Sequence, residues 1–153
     1  MVMKVLVDTN VLLDVLAKRE EFFEKSFKIF ELCQEERIYG VIAAHSIPNI
    51  VYVLRKNFSL AEIKVMLKSL CKIFYVDSLD VEKIQAAIDD EIFSDFEDCL
   101  QVQSGINFQA DCIITRDLKD FRLSPIAAIT PDDFCKLFEQ AEQENNENKS
   151  EEN

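Results

Sequence analysis

Residues 5–14 read Val-Leu-Val-Asp-Thr-Asn-Val-Leu-Leu-Asp, and this stretch decides the fold. An apolar run stops at a carboxylate, Asp8, and helix-starting residues follow at Thr9 and Asn10. The pattern is that of a buried strand that delivers one acid to a cleft and then turns into a helix. In open α/β sheets ligands bind in the crevice beyond the carboxyl ends of the strands, so Asp8 is a site candidate by position alone. The competing reading makes Asp8 a simple helix cap whose side chain takes up free N–H groups. Matching acids further along the chain weigh against it.

Outward from this stretch the apolar spacing predicts helices over 10–17 and 22–36, with Gly40 closing that unit and an apolar run at 41–44 too short to classify. Ser46 caps a helix over 47–56 with Pro48 in its first turn, and Ser59 with Glu62 has the spacing of a capping box opening a helix over 59–70. A strand at 72–76, helices at 80–91 and 94–106, strands at 111–117 and 126–129, and a last helix opened by Thr130-Pro-Asp-Asp complete the chain. Strands separated by helices specify an α/β fold, a central and mainly parallel β-sheet flanked by helices on both faces. One domain is expected over residues 1–138. The segment 139–153 holds six Glu against one Lys and is expected to be a disordered acidic tail.

Composition narrows the function. With 153 residues, two Gly and three Pro, the chain can bury a core without disulfides and does not suit a turn-rich all-β fold. Five cysteines are scattered singly and there is one histidine, His45, which speaks against a zinc site and for reduced thiols in a cytoplasmic protein. Asp8 and Asp14 interrupt the first apolar run, so no signal peptide is expected there, and no run reaches the ~18 apolar residues of a membrane span. The net charge of −12 argues against indiscriminate nucleic-acid binding through a basic face. About −5 of it lies in the tail, and a cation among clustered acids would neutralise part of the rest.

Two strand ends present acids in the same manner, Asp8 after Val5-Leu6-Val7 and Asp117 after Ile113-Ile114-Thr115-Arg116. On the helix between them Asp95 and Asp98 lie three residues apart, roughly 60° from each other at about 100° per residue, bordering the apolar face. Glu97 falls on the opposite side and reads as a solvated charge. Carboxylates gathered without basic partners repel one another unless a cation sits among them. Oxygen donors without His or Cys select magnesium or manganese, and such an ion serves phosphodiester hydrolysis without a Ser, Cys or His nucleophile. Asp95 and Asp120, taken singly, read better as a cap or a solvated charge.

The segments Val-Asp-Thr-Asn-Val-Leu-Leu-Asp at 7–14, Asp-Phe-Glu-Asp-Cys-Leu-Gln at 95–101 and Ile-Ile-Thr-Arg-Asp-Leu-Lys-Asp-Phe at 113–121, with Thr-Pro-Asp-Asp-Phe at 130–134, resemble PIN-domain proteins of the VapC-like ribonuclease-toxin type. The resemblance spans residues 1 to about 138 in order. It implies a PIN fold, magnesium-dependent endoribonuclease activity on RNA, a homodimer, and inhibition by a cognate antitoxin. The family's metal acids carry over to Asp8, Asp98 and Asp117, with Asn10 and Thr115 as polar support and Asp95 as an extra acid. One position departs from the pattern. Where the family has a Glu on the helix after the second strand, this chain has Asn49, a weaker, uncharged ligand, and no acid occurs between Glu36 and Glu62. A catalytically degenerate PIN domain that binds RNA or protein is therefore the alternative. A phosphatase of the HAD type is weaker, because it resembles Asp-x-Asp and position 10 is Asn. Arg116 and Lys119 are candidate phosphate contacts, and His45 reads as a structural histidine.

Overall fold

The computed structural model of the chain describes residues 2–151. Five strands, β1 (Met3–Val7), β2 (Ile38–Ala43), β3 (Tyr75–Asp77), β4 (Cys112–Ile114) and β5 (Ala128–Ile129), form one sheet in the order β3-β2-β1-β4-β5. Every pairing is parallel. The helices are α1 (Thr9–Leu16), α2 (Phe23–Gln34), α3 (Ser46–Leu54), α4 (Leu60–Ile73), α5 (Val81–Asp89), α6 (Phe96–Phe108) and α7 (Pro131–Glu151), with a 3-10 turn at Leu118–Phe121.

Alternation along the strands explains the layers. Val5 and Val7 face one core, shared with Ile29, Leu32 and Phe74 of α2 and α4 and their neighbours, while Leu6 faces the other with Val102, Ile113 and Phe121. With a side-chain period of two, a continuous apolar strand buries both faces and needs cover on each. The chain builds outward from β1 to β2 and β3, then returns to place β4 on the free side of β1. The reversal puts the topological switch point between β1 and β4, where a ligand crevice opens beyond the strand ends.

Two glycines set close approaches. Gly40 lies inside β2 rather than closing the preceding unit, because a Cβ there would come within 2.6 Å of the Phe74 ring and 2.8 Å of Cys33 Sγ. Gly105 lets α6 press onto the sheet: a Cβ would stand 2.9 Å from Ile126 and 3.4 Å from Leu6. The remaining predicted elements are present with shifted ends. The capping box is formed, Ser59 Oγ accepting from the Glu62 N–H at 3.2 Å and Glu62 accepting from the Ser59 N–H at 2.7 Å.

Helix α7 runs on through the acidic segment to Glu151, and the last two residues of that segment, 152–153, lie outside the described residues. Glu, Gln, Asn and Lys without Gly or Pro carry no helix-breaking chemistry, and Arg37 of the body pairs with Glu142. Among the described residues no helix is long and apolar enough to cross a membrane.

Candidate active site at the β1–β4 switch point

Asp8 follows β1 directly, and its N–H donates to the Ile114 carbonyl of β4 at 3.0 Å. It occupies the N-cap position of α1, yet its side chain makes no cap hydrogen bond. Asp8 sits at the switch point and is 7% exposed. Oδ1 accepts from Gln101 Nε2 at 2.7 Å and Oδ2 from the Thr115 hydroxyl at 2.8 Å. Thr115 Oγ1 also accepts from the Asp117 N–H at 3.0 Å, and Asn10 Nδ2 donates to Asp117 Oδ2 at 3.1 Å. Asn10 and Thr115 thus hold the two strand-end acids in register. Thr9 closes the neighbouring gap to α3, donating to Ser46 Oγ at 2.9 Å.

Gln101 was not anticipated as a site residue. It is 2% exposed and reaches Asp8 because α6 lies tight on the sheet at Gly105, one turn later on the same face. The signal available in the sequence was its spacing, three residues beyond Asp98 and on that same side of the helix.

The electrostatics are those of crowded acids. Burial raises the pKa of Asp8, hydrogen bonds from Gln101 and Thr115 pull it back, and the Asp117 charge adds to the rise. Asp98 is pushed up to about 7, by burial first and then by the charges of Asp95, Asp8, Asp120 and Glu97. Asp95 caps α6, its Oδ1 accepting from the Asp98 N–H at 2.9 Å. Asp95, Asp98 and Asp120 line a cleft of about 500 Å³ together with Lys119, Arg122, Phe93 and Leu123. That volume is in the range of small-molecule sites.

Arg116 does not enter this cleft. Its Nε donates to Asp14 Oδ2 at 2.7 Å and its guanidinium stacks on Phe22, 3.9 Å from the ring centroid. Asp14, fully buried, also accepts from Ser26 Oγ at 3.2 Å and from Arg19 at 3.4 Å. A buried carboxylate without partners is costly, and the nearest guanidinium, that of Arg116, is drawn to it.

The position that departs from the family pattern, Asn49, lies in α3 with its Nδ2 donating to Glu97 Oε1. Glu97 is solvated as expected, but it does not stand apart from the site's helices. It is the second residue of α6, exposed to solvent, and its side chain crosses to α3. Beside them, burial lowers the pKa of His45 against the opposing pull of Glu97 and Asp8. Its buried Nε2 has no hydrogen-bond partner among the described residues.

Among the described residues no three His, Cys, Asp or Glu side chains converge closely enough to enclose a metal ion. The donor set nevertheless fits a magnesium-like cation, which keeps several waters and takes only one or two carboxylates from the protein. The acids are all hard oxygen donors, and Gln101 Oε1, buried beside Asp8, is left without a partner. Asp8, Asp117 and Asp98 are the residues that would hold such an ion, with Asp95 committed to its cap.

A parallel sheet of this order, with acids at the ends of the first and fourth strands, agrees with the family comparison: the PIN domain model matches residues 4–119, more than half of the chain. The chain belongs to the PIN domain family. Among solved structures this PIN domain is similar to a chain in the crystal structure of VapBC2 from Rickettsia felis bound to a DNA fragment from their promoter. That similarity has a TM-score of 0.64 and 13% identity, covering 84% of this chain and 98% of that one. A chain in the structure of FitAB bound to an IR36 DNA fragment matches with a TM-score of 0.61 and 17% identity, covering 83% and 94%. At these identities the likeness is one of fold. No curated protein matches the sequence.

Proposed function

We propose that this PIN domain is a metal-dependent endoribonuclease that hydrolyses RNA phosphodiester bonds, acting as the toxin of a toxin-antitoxin pair. The observation that carries the reading is the placement of Asp8 directly after β1 and of Asp117 three residues beyond the adjacent parallel strand β4, tied through Thr115 and accompanied by Asp98. Raised pKa values at Asp8 and Asp98 mark carboxylates pressed first by burial and then by the charges of neighbouring acids. Magnesium or manganese bound there would supply Lewis-acid stabilisation of the phosphate and lower the pKa of attacking water.

The protein's own residues do the rest. Gln101 and Thr115 orient the Asp8 carboxylate, Asn10 orients Asp117, and Lys119 in the cleft offers a cation to a flanking phosphate. The fold-level likeness to chains of VapBC2 and FitAB supports a cognate antitoxin as partner, and the homodimer rests on the family resemblance alone.

The test is cleavage of a mixed RNA substrate by the purified chain. Cleavage with Mg²⁺ or Mn²⁺, its loss in EDTA, and its loss in both Asp8→Asn and Asp117→Asn are expected, together with growth arrest on expression in a bacterial host. Cleavage that Asp8→Asn leaves intact would overturn the reading. Asn49 favours one second reading, a PIN domain that binds RNA or protein without cutting. Retained RNA binding without turnover in either metal would select it.

A further inference from the structure

We propose that Glu97 supplies, from α6, the negative charge that α3 lacks at Asn49, and that Asn49 serves to position the Glu97 carboxylate rather than to ligate the cation itself. The inference rests on the metal-dependent reading above.

Its basis is where the two helices begin. α3 follows β2 and α6 opens at the same edge of the sheet, so the first turns of both helices face the crevice. Asn49 belongs to the first turns of one helix and Glu97 to the first turn of the other. Asn49 Nδ2 donates to Glu97 Oε1, which fixes the carboxylate across the gap and leaves Oε2 uncommitted. Helix N-termini favour a carboxylate at this spot, so the site tolerates the charge without a basic neighbour.

Among the described residues two buried polar atoms of this region lack hydrogen-bond partners: Gln101 Oε1, on a side chain 2% exposed and held against Asp8, and His45 Nε2. A polar atom buried without a partner is costly, and a hydrated cation among Asp8, Asp98, Asp117 and Glu97 would satisfy them through its waters. Moving a carboxylate from α3 to α6 preserves the count of anionic groups around the crevice, which sets affinity for a hard cation.

The experiment is Mn²⁺ binding to the full chain, read by electron paramagnetic resonance of free Mn²⁺ and by calorimetry, independently of RNA cleavage. Glu97→Gln and Glu97→Asp, the latter too short to reach Asn49, are expected to weaken Mn²⁺ binding on the order of 10-fold or more. Asn49→Glu introduced into Glu97→Gln is expected to restore most of it. Wild-type affinity in Glu97→Gln, with binding abolished in Asp8→Asn, would overturn the role of Glu97 and leave the metal site standing. No Mn²⁺ binding by the wild-type chain would overturn both. A shift in melting temperature without a change in Mn²⁺ affinity would reduce the Asn49–Glu97 bridge to a structural contact and equally refute the proposal.

Discussion

Replacing Asp8 by Asn should stabilise the metal-free protein. In the folded chain the carboxylate is 7% exposed and its pKa is raised, chiefly by burial, so the folded state carries a charge it holds poorly. The amide has the same shape. Its oxygen can accept the Thr115 hydroxyl as Oδ2 does now, at 2.8 Å. Its N–H₂ would face Gln101 Nε2, two donors opposed, but Gln101 Oε1 has no partner, so rotating the Gln101 amide by half a turn restores the bond. The rotation exchanges the unpartnered Gln101 acceptor for an unpartnered Nε2 donor, so one buried polar atom lacks a partner before and after, and relief of the buried charge remains.

Substitutions that remove a functional destabilisation typically contribute about 0.5–2 kcal/mol. At this chain length each kcal/mol is worth roughly 2–4 °C in Tm. Thermal melts at pH 7.5 in EDTA should therefore place Asp8→Asn a few degrees above the wild type. In Mg²⁺ at ten times its Kd the wild type should gain about 1.4 kcal/mol by linkage, and the variant should gain nothing. An Asp8→Asn protein that melts below the wild type in EDTA, or that keeps the full Mg²⁺ shift, would refute the argument. Either result would make Asp8 a structural hub.

The same electrostatics fix a pH dependence. The Asp98 pKa rises from 3.8 to about 7 on folding, so the folded state binds the proton more tightly than the unfolded state. Its stabilising contribution is complete below the unfolded pKa and is lost as pH rises toward 7. His45, with its pKa lowered, acts in the opposite sense, so the informative quantity is the difference between wild type and Asp98→Asn. In EDTA the variant should gain stability relative to wild type between pH 5 and pH 8, measured by urea unfolding; a constant difference would contradict the assignment. At Asp14, substitution by Ala leaves Arg116, Arg19 and Ser26 without their shared acceptor. Breaking a buried pair from one side costs about 3–5 kcal/mol, and a loss under 1 kcal/mol in the urea midpoint analysis would show that the network is dispensable.

Periodicity and punctuation carried much of the fold. The alternation of Val5, Leu6 and Val7 between two cores, the capping box at Ser59 and Glu62, and Thr130-Pro131 at the head of the last helix are local chemistry, and local chemistry is readable residue by residue. Strand lengths were less legible. Gly40 punctuates a sequence, yet here it sits within β2 because Phe74 and Cys33 fill the space a side chain would need. The acidic tail is made of competent helix formers, and through Glu151 they continue α7.

The sequence by itself determined which acids end the strands: Asp8 and Asp117 are marked by the apolar runs before them, and their shared edge follows from a parallel sheet. What Arg116, Gln101 and Glu97 do was decided only by tertiary structure. Arg116 turns to Asp14 because that carboxylate is buried within reach, and Gln101 meets Asp8 because Gly105 lets α6 lie close to β1. Glu97 faces Asn49 because two helices that are distant in sequence begin at one sheet edge. Helical spacing fixes a side chain's direction about its own axis. It does not fix which neighbour stands there, and for charged groups in a crowded crevice the neighbour decides the role.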